Sequence, residues 1–287
     1  MNRNHKQVTG ASGTFRSGLI KTSCLVLGLA LASSPSAFAL TPKEIMQRND
    51  DARRVSDFEA KATLTTGAEG TAGDKVKEFT LSRKVQTDKV HNSTLTRFHV
   101  PAEVRNEGIL IIENASGRND VLMYLPAYKK VRRVESQQQS GSFMGSVFSY
   151  SDIATPHVED FTYKLVKEEA CPGKENSGIK CSVIECLPTS DDIKERTGYS
   201  KSLLWMRQDN FMSVHGEYYN LEGEYFKRLE GAEIKMVDTK NKKWLAHNIY
   251  ITNLKTKEFT RLQFQNVKVN VGISDAVFTQ QNLQKVN

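Results

Sequence analysis

The chain has 287 residues, 38% hydrophobic and 25% charged, with 40 Lys and Arg against 33 Asp and Glu for a formal charge of +7. That composition excludes collagen-like, wholly disordered and polytopic membrane classes. A basic chain ordinarily points towards nucleic acid or an anionic membrane, but here the cations are unevenly placed.

Residues 1–39 hold Arg3, Lys6, Arg16 and Lys21 and no acid. The apolar run Cys24–Ala32 follows, then Pro35 and the small-x-small triplet Ala37-Phe38-Ala39. A basic start, a short apolar stretch and an Ala-x-Ala site form the pattern of a cleavable secretory signal peptide. The run is too short for a hydrocarbon core of ~30 Å, which takes about 20 apolar residues. Cys24 precedes the apolar run, which argues against lipoprotein processing. The sequence therefore predicts a leader over 1–39 cut after Ala39, and an exported single domain over 40–287. Removing the four cations lowers the net charge from +7 to +3, and nucleic acid drops out as a partner.

The mature region opens with a predicted helix: Thr41 is placed to cap it, Pro42 suits its first position, and an apolar face runs from Ile45 and Met46 to Ala52 and Val55. Period-two strands follow over 58–65 and 75–85, joined by the flexible turn Gly67–Gly73. Further strands are expected near 90–99, 108–113, 119–125, 130–134 and 160–168. The second half continues with 181–187, 200–208, 212–220, 224–229, 233–238, 244–253 and 258–269. Asn114–Asn119, Asn220–Gly223 and Asn253–Lys257 read as hairpin connections. So long an antiparallel meander must close or cover its edges, which favours a curved, partly closed barrel over a flat sheet.

Three cysteines remain in the mature region: Cys171, Cys181 and Cys186. Export permits a disulfide and the odd count leaves one thiol over. The turn-rich stretch Cys171–Cys181 between two strands makes that pair the preferred bridge. No zinc or redox spacing is present.

Ser136–Asp152 breaks the strand pattern with mixed Gly, Ser and Gln carrying Phe143, Met144, Val147, Phe148 and Tyr150. A loop this long inside a compact domain is usually functional or disordered, and its apolar content favours burial. The hairpin Met123–Val134 brings Lys129, Lys130, Arg132 and Arg133 beside that loop. Two readings stay open: charged protection of an edge strand, or a cationic rim that meets lipid phosphates or an acidic partner.

Catalytic constellations are missing. There is no Gly-x-Ser-x-Gly, no His-Glu-x-x-His and no phosphate-cradling loop, and His91, His99, His157, His215 and His247 fall one per element. Neither enzyme activity nor a metal or cofactor is predicted. Sequons at Asn92 and Asn114 are weak signals.

Tyr124-Leu-Pro-Ala-Tyr-Lys-Lys-Val-Arg-Arg-Val134, followed by Ser142-Phe-Met-Gly-Ser-Val-Phe-Ser-Tyr-Ser-Asp152, resembles the outer-membrane lipoprotein-sorting protein family. These are periplasmic relatives of the lipoprotein carrier LolA that often accompany large RND-type exporters. Arg97–Pro101, Leu204–Arg207 and Asp275–Phe278 extend the similarity along the mature chain. The three cysteines have no place in the family pattern, and Val147 stands where an acidic residue is common.

The resemblance implies a mainly β, α+β fold: an antiparallel, incompletely closed LolA/LolB-like barrel wrapped over helices. It also implies a periplasmic location and an apolar concavity for acyl chains of a lipid or lipoprotein. An inner-membrane RND-type transporter and an outer-membrane acceptor are the implied partners. A carrier must release its cargo, so its empty cavity must be filled by displaceable side chains of its own. Phe143, Met144, Phe148 and Tyr150, on a Gly/Ser-rich hinge, are the candidates for that lid, with ordinary core packing as the competing reading. The functional alternative is an adaptor subunit of an envelope export complex that carries no lipid.

Overall fold

A computed structural model describes residues 10, 11, 13, 14, 40–114 and 118–285. Apart from residues 10, 11, 13 and 14, the predicted signal peptide lies outside the described residues, as do residues 115–117 at the centre of the Asn114–Asn119 connection.

The expected first helix forms as α1 (Pro42–Arg53). Thr41 accepts a hydrogen bond from the backbone N–H of Glu44 while the Glu44 carboxylate reaches back to the Thr41 N–H, closing a capping box. Six strands follow: β1 (Asp57–Ala68), β2 (Lys75–Val85), β3 (Asn92–Val100), β4 (Gly108–Ile112), β5 (Asp120–Leu125) and β6 (Lys130–Val134). An insert with the short helix α2 (Tyr150–Ile153) leads to β7 (Phe161–Ala170) and β8 (Lys180–Pro188). After α3 (Asp191–Thr197) come β9 (Lys201–Arg207), β10 (Ser213–Tyr219), β11 (Tyr225–Asp238), β12 (Lys243–Asn253) and β13 (Glu258–Val269). The turn α4 (Gln280–Leu283) ends the described chain.

All thirteen strands form one antiparallel sheet in the order β6-β5-β4-β3-β2-β1-β13-β12-β11-β10-β9-β8-β7. Two meanders are thus joined at the centre by β1 and β13, and the barrel stays open between β6 and β7. Those edge strands are consecutive in the chain, so residues 135–160 must run from one edge of the sheet to the other. The stretches expected as separate strands at 224–229 and 233–238 are one strand, β11. Its central Gly231 lets the backbone carbonyl of Ser213 approach to 3.0 Å of where a Cβ would sit, and no turn interrupts it.

Strand alternation gives the sheet two chemically distinct faces. On the inner face, Phe58, Ala60, Ala62, Leu64, Phe79, Leu81, Phe98, Ile109, Ile111, Ile251 and Leu262 form the main core with residues of the insert. α1 packs Ile45 against Ile184, Cys186 and Met206 of the other meander. The outer face carries two smaller cores. One sits beneath the hairpin loop closed by the Cys171–Cys181 disulfide, with Val183, Trp205 and Val214. The remaining thiol, Cys186, is buried and pushed up to about 12 by loss of hydration, so it is inert.

The other outer core is supplied by the C-terminal segment, which lays Phe278 and Leu283 over Leu95, Leu110 and Tyr124. Arg97 of β3 donates to the carbonyls of Asn282 and Leu283 at 2.9 and 3.3 Å. Gly108 makes room there: a Cβ would stand 2.7 Å from the Leu283 Cδ1, so that side chain would have to shift. Leu283→Ala is expected to lower the stability of the domain by about 2–5 kcal/mol, read as a shift of the urea unfolding midpoint at unchanged m-value.

Candidate functional site

The insert from β6 to β7 covers the inner face, and its central part is a small hairpin. Met144 and Gly145 both have positive φ, 53° and 72°, and the Ser146 N–H donates to the Phe143 carbonyl at 3.0 Å. This is the geometry of a two-residue turn that favours glycine at its second position. The Phe143 N–H donates to the Phe148 carbonyl at 2.7 Å, which sends both phenyl rings into the sheet. Phe143 is fully buried and meets the rings of Phe98 at 6.1 Å and Tyr150 at 5.6 Å. Met144 is half-buried against the same core. Of the four residues expected to form a lid, Phe148 alone faces a cavity of the concave side.

Below this hairpin, polar anchors tie the insert to both halves of the sheet. Asp152 caps α2 through the Ser149 N–H. Its carboxylate also accepts from the Tyr199 hydroxyl at 2.7 Å and from Lys227 of β11 at 3.2 Å. Lys227 is buried, and it donates to the Tyr199 oxygen at 2.8 Å. Burial and the adjoining Asp152 hold the Tyr199 phenol far above its ordinary range. On the opposite side, buried Glu113 accepts from the N–H groups of Asn92 and Thr155 at 2.7 and 2.8 Å. Arg83 of β2 donates to the Ile153 carbonyl at 3.1 Å, and Arg53 of α1 to the Pro156 carbonyl at 3.3 Å. Asn92, the first residue of a sequon, is buried in this network.

Between α1, the insert and the sheet lie two adjoining cavities. The first, of about 290 Å³, sits under α1 against β7–β11 and is lined by charged groups beside apolar ones: Asp50, Arg53, Asp152, Asp160 and Arg196 with Met46, Leu204, Met212 and Ile249. The second, of about 260 Å³, is lined by Phe58, Leu81, Phe148, Ile153, Leu262 and Phe264 together with Asp50, Arg53, Arg54, Arg83 and Asp152. Met212, Leu229, Ala246 and Ile249 border both, as do Asp50, Arg53 and Asp152. A divided cavity results, apolar over most of its wall, with Asp160, Arg196 and Lys201 in its first part only.

The four basic residues do not form one rim. In β6 the register sets Arg132 opposite Met123, whose side chain joins the inner core, whereas Val131 opposite Tyr124 joins the outer core. Arg132 and Arg133 therefore project to opposite faces, since the side-chain period of a strand is two. Arg133 is paired with Asp120, and Lys129 occupies a left-handed turn position. All four are exposed. Among the described residues there is no group of His, Cys, Asp and Glu able to hold a metal ion, and no helix is long and apolar enough to cross a membrane.

Arg196 and Asp160 were not singled out by the sequence, although α3 carries a legible signature: Ser190 caps it, Asp191 and Asp192 open it and Gly198 ends it.

Comparison with known proteins gives this architecture its relatives. The profile of an uncharacterized-protein family, DUF1329, matches residues 91–285. The chain belongs to that family. A DUF1329 protein from Desulfovibrio piger shares 25% identity with a TM-score of 0.76, over 84% of this chain and 97% of its own. A domain from Vibrio parahaemolyticus named for outer membrane lipoprotein sorting shares 26% at the same TM-score, over 85% and 98%. A LolA superfamily protein from Nitrosomonas europaea shares the fold at 21% identity, TM-score 0.65, over 85% and 100%. No curated protein matches the sequence. The open thirteen-stranded DUF1329 sheet with its four helices is thus LolA-like in fold.

One anchor of the insert titrates. Burial holds the His157 imidazole below its ordinary range, against the opposing pull of Glu113 and Asp160, and its ring lies 4.9 Å from that of His91 at a tilt of 59°. A histidine whose folded value is depressed binds its proton more readily in the unfolded chain. Its contribution is therefore complete above a pH of about 6.5 and is lost as the pH falls from there towards the lowered folded value. His157→Gln is expected to narrow the difference between urea midpoints measured at pH 7.5 and pH 5.5. His99 and His215, depressed by burial in the same direction, keep part of it.

Proposed function

We propose that this protein is a periplasmic carrier, freed of its leader after Ala39, that holds acyl chains of a lipid or lipoprotein in the divided cavity and shuttles them between the inner and outer membranes. The observation that carries this reading is the apolar cavity enclosed between the sheet's inner face and a covering insert that belongs to neither meander. The lipoprotein-sorting name of the Vibrio parahaemolyticus relative supports it, as does the family resemblance, which also supports an RND-type inner-membrane transporter and an outer-membrane acceptor as partners.

The mechanism follows from the covering segment. Acyl burial stabilises by about 0.8 kcal/mol per CH₂, so a permanently open cavity would hold its cargo too tightly to deliver it. Phe148 and Ile153 line the second cavity and exchange their own contacts for those of an incoming chain. Phe143 and Tyr150 keep the insert in place while Phe148 moves, with Met144 as adaptable packing. The polar anchors at Asp152, Thr155 and Pro156 set the cost of displacing the segment. A second reading, an adaptor of an export complex without lipid, draws on β7, an unpaired edge strand with Leu165 and Val166 exposed.

Protein purified from periplasm, extracted with organic solvent and examined by mass spectrometry, is expected to yield a stoichiometric acyl species. Protein free of such species would favour the adaptor. The aromatic residues separate in a second measurement. Phe148→Ala is expected to change the affinity for a fluorescent fatty-acyl probe several-fold. Phe143→Ala is expected to cost about 3–5 kcal/mol of stability and to leave probe affinity of the folded fraction unchanged. Equal effects of the two on probe binding would remove Phe148 from the exchange mechanism.

A further inference from the structure

The first cavity is lined by arginines with unused donors. Arg196 of α3 lines it with a side chain only 7% exposed, and its guanidinium donates to Asp160 at 3.1 Å. Its Nε has no hydrogen-bond partner among the described residues. Arg53, on the α1 side of the same cavity, donates through one terminal nitrogen to Asp50 and to the Pro156 carbonyl, and its Nε is likewise unpartnered. The nearby carboxylates are all engaged: Asp50 with Arg53 and Arg54, Asp152 with Lys227, and Asp160 with Arg196. The unmet hydrogen-bonding capacity of the cavity is therefore N–H, from guanidinium groups that suit oxyanions. The Nη1 groups of both arginines make no hydrogen bond among the described residues either, and these are the donors that a ligand oxygen in the cavity would meet.

The apolar border shared with the second cavity gives such a ligand a continuous path for a chain. The cavities, of about 290 and 260 Å³, each fall just short of the roughly 300 Å³ at which small-molecule sites begin, which favours one chain over several.

We propose that the first cavity binds the oxyanion head of a single-chain amphiphile, a carboxylate or a phosphate, through Arg196 and Arg53, while its chain runs on into the second. This rests on the carrier reading and names its ligand class.

Calorimetric titration of delipidated protein at pH 8, below micellar concentrations, tests it with dodecanoate, dodecyl phosphate and methyl dodecanoate. Either oxyanion is expected to bind about tenfold or more tighter than the neutral ester, as a charge-assisted hydrogen bond would give, and the tighter of the two identifies the head. Arg196→Gln is expected to abolish the preference and leave ester binding intact, with Arg53→Gln as the second variant. An ester that binds as tightly as both oxyanions would overturn the proposal, as would a preference that survives both substitutions. Failure of all three ligands to bind would instead overturn the carrier reading itself.

Discussion

The inner face of the sheet has to be covered without being closed. Thirteen strands in one curved sheet expose more apolar surface on the concave side than a single helix such as α1 can bury. Closing the barrel would pair β6 with β7, but the chain between them, residues 135–160, lies inside. The gap in the barrel, the burial of the aromatic hairpin and the two cavities all follow from that one routing of the backbone. Where the insert packs apolar side chains, as at Phe143 and Tyr150, it completes the core. Where it turns polar, at Asp152 to Asp160, it leaves space.

Those polar residues form a distinct kind of attachment. Hydrophobic packing alone resists displacement in proportion to area, whereas the Asp152–Tyr199–Lys227 and Glu113–Asn92–Thr155 networks depend on geometry. Buried charges of this kind contribute modestly to net stability because desolvation offsets their attraction. They do specify one position for the segment, since any shift leaves a charge unpaired. The outer face needs no such device. Its two minor cores are closed by a disulfide loop and by the C-terminal segment, which leaves the inner side as the surface on which ligand and covering segment compete.

Much of the fold was legible because its signals are local. Thr41 and Pro42 announce α1, alternating strands announce the sheet, and the turn-rich stretch between Cys171 and Cys181 marks the pair that bridges. The site was legible only in part. The burial of Phe143 and Phe148 follows from their apolar character, yet which ring reaches a cavity depends on a two-residue turn and on the curvature of a sheet hundreds of residues in span. Lys129 to Arg133 read as one cationic cluster along the chain, and β6 sends its arginines to opposite faces. Arg196 carried no signal of its own, because the helix that presents it has only 7 residues and its partner Asp160 lies 36 positions away.

The sequence by itself determined the antiparallel β class, the capped first helix, the apolar character of the insert and the resemblance to lipoprotein-sorting proteins, since each is written in residues close together in the chain. Tertiary structure alone decided that β1 pairs with β13, that the insert crosses from edge to edge, and that Arg53 and Arg196 share one cavity. Local propensities do not choose among pairings of strands 200 residues apart. The shared need to bury one inner face does.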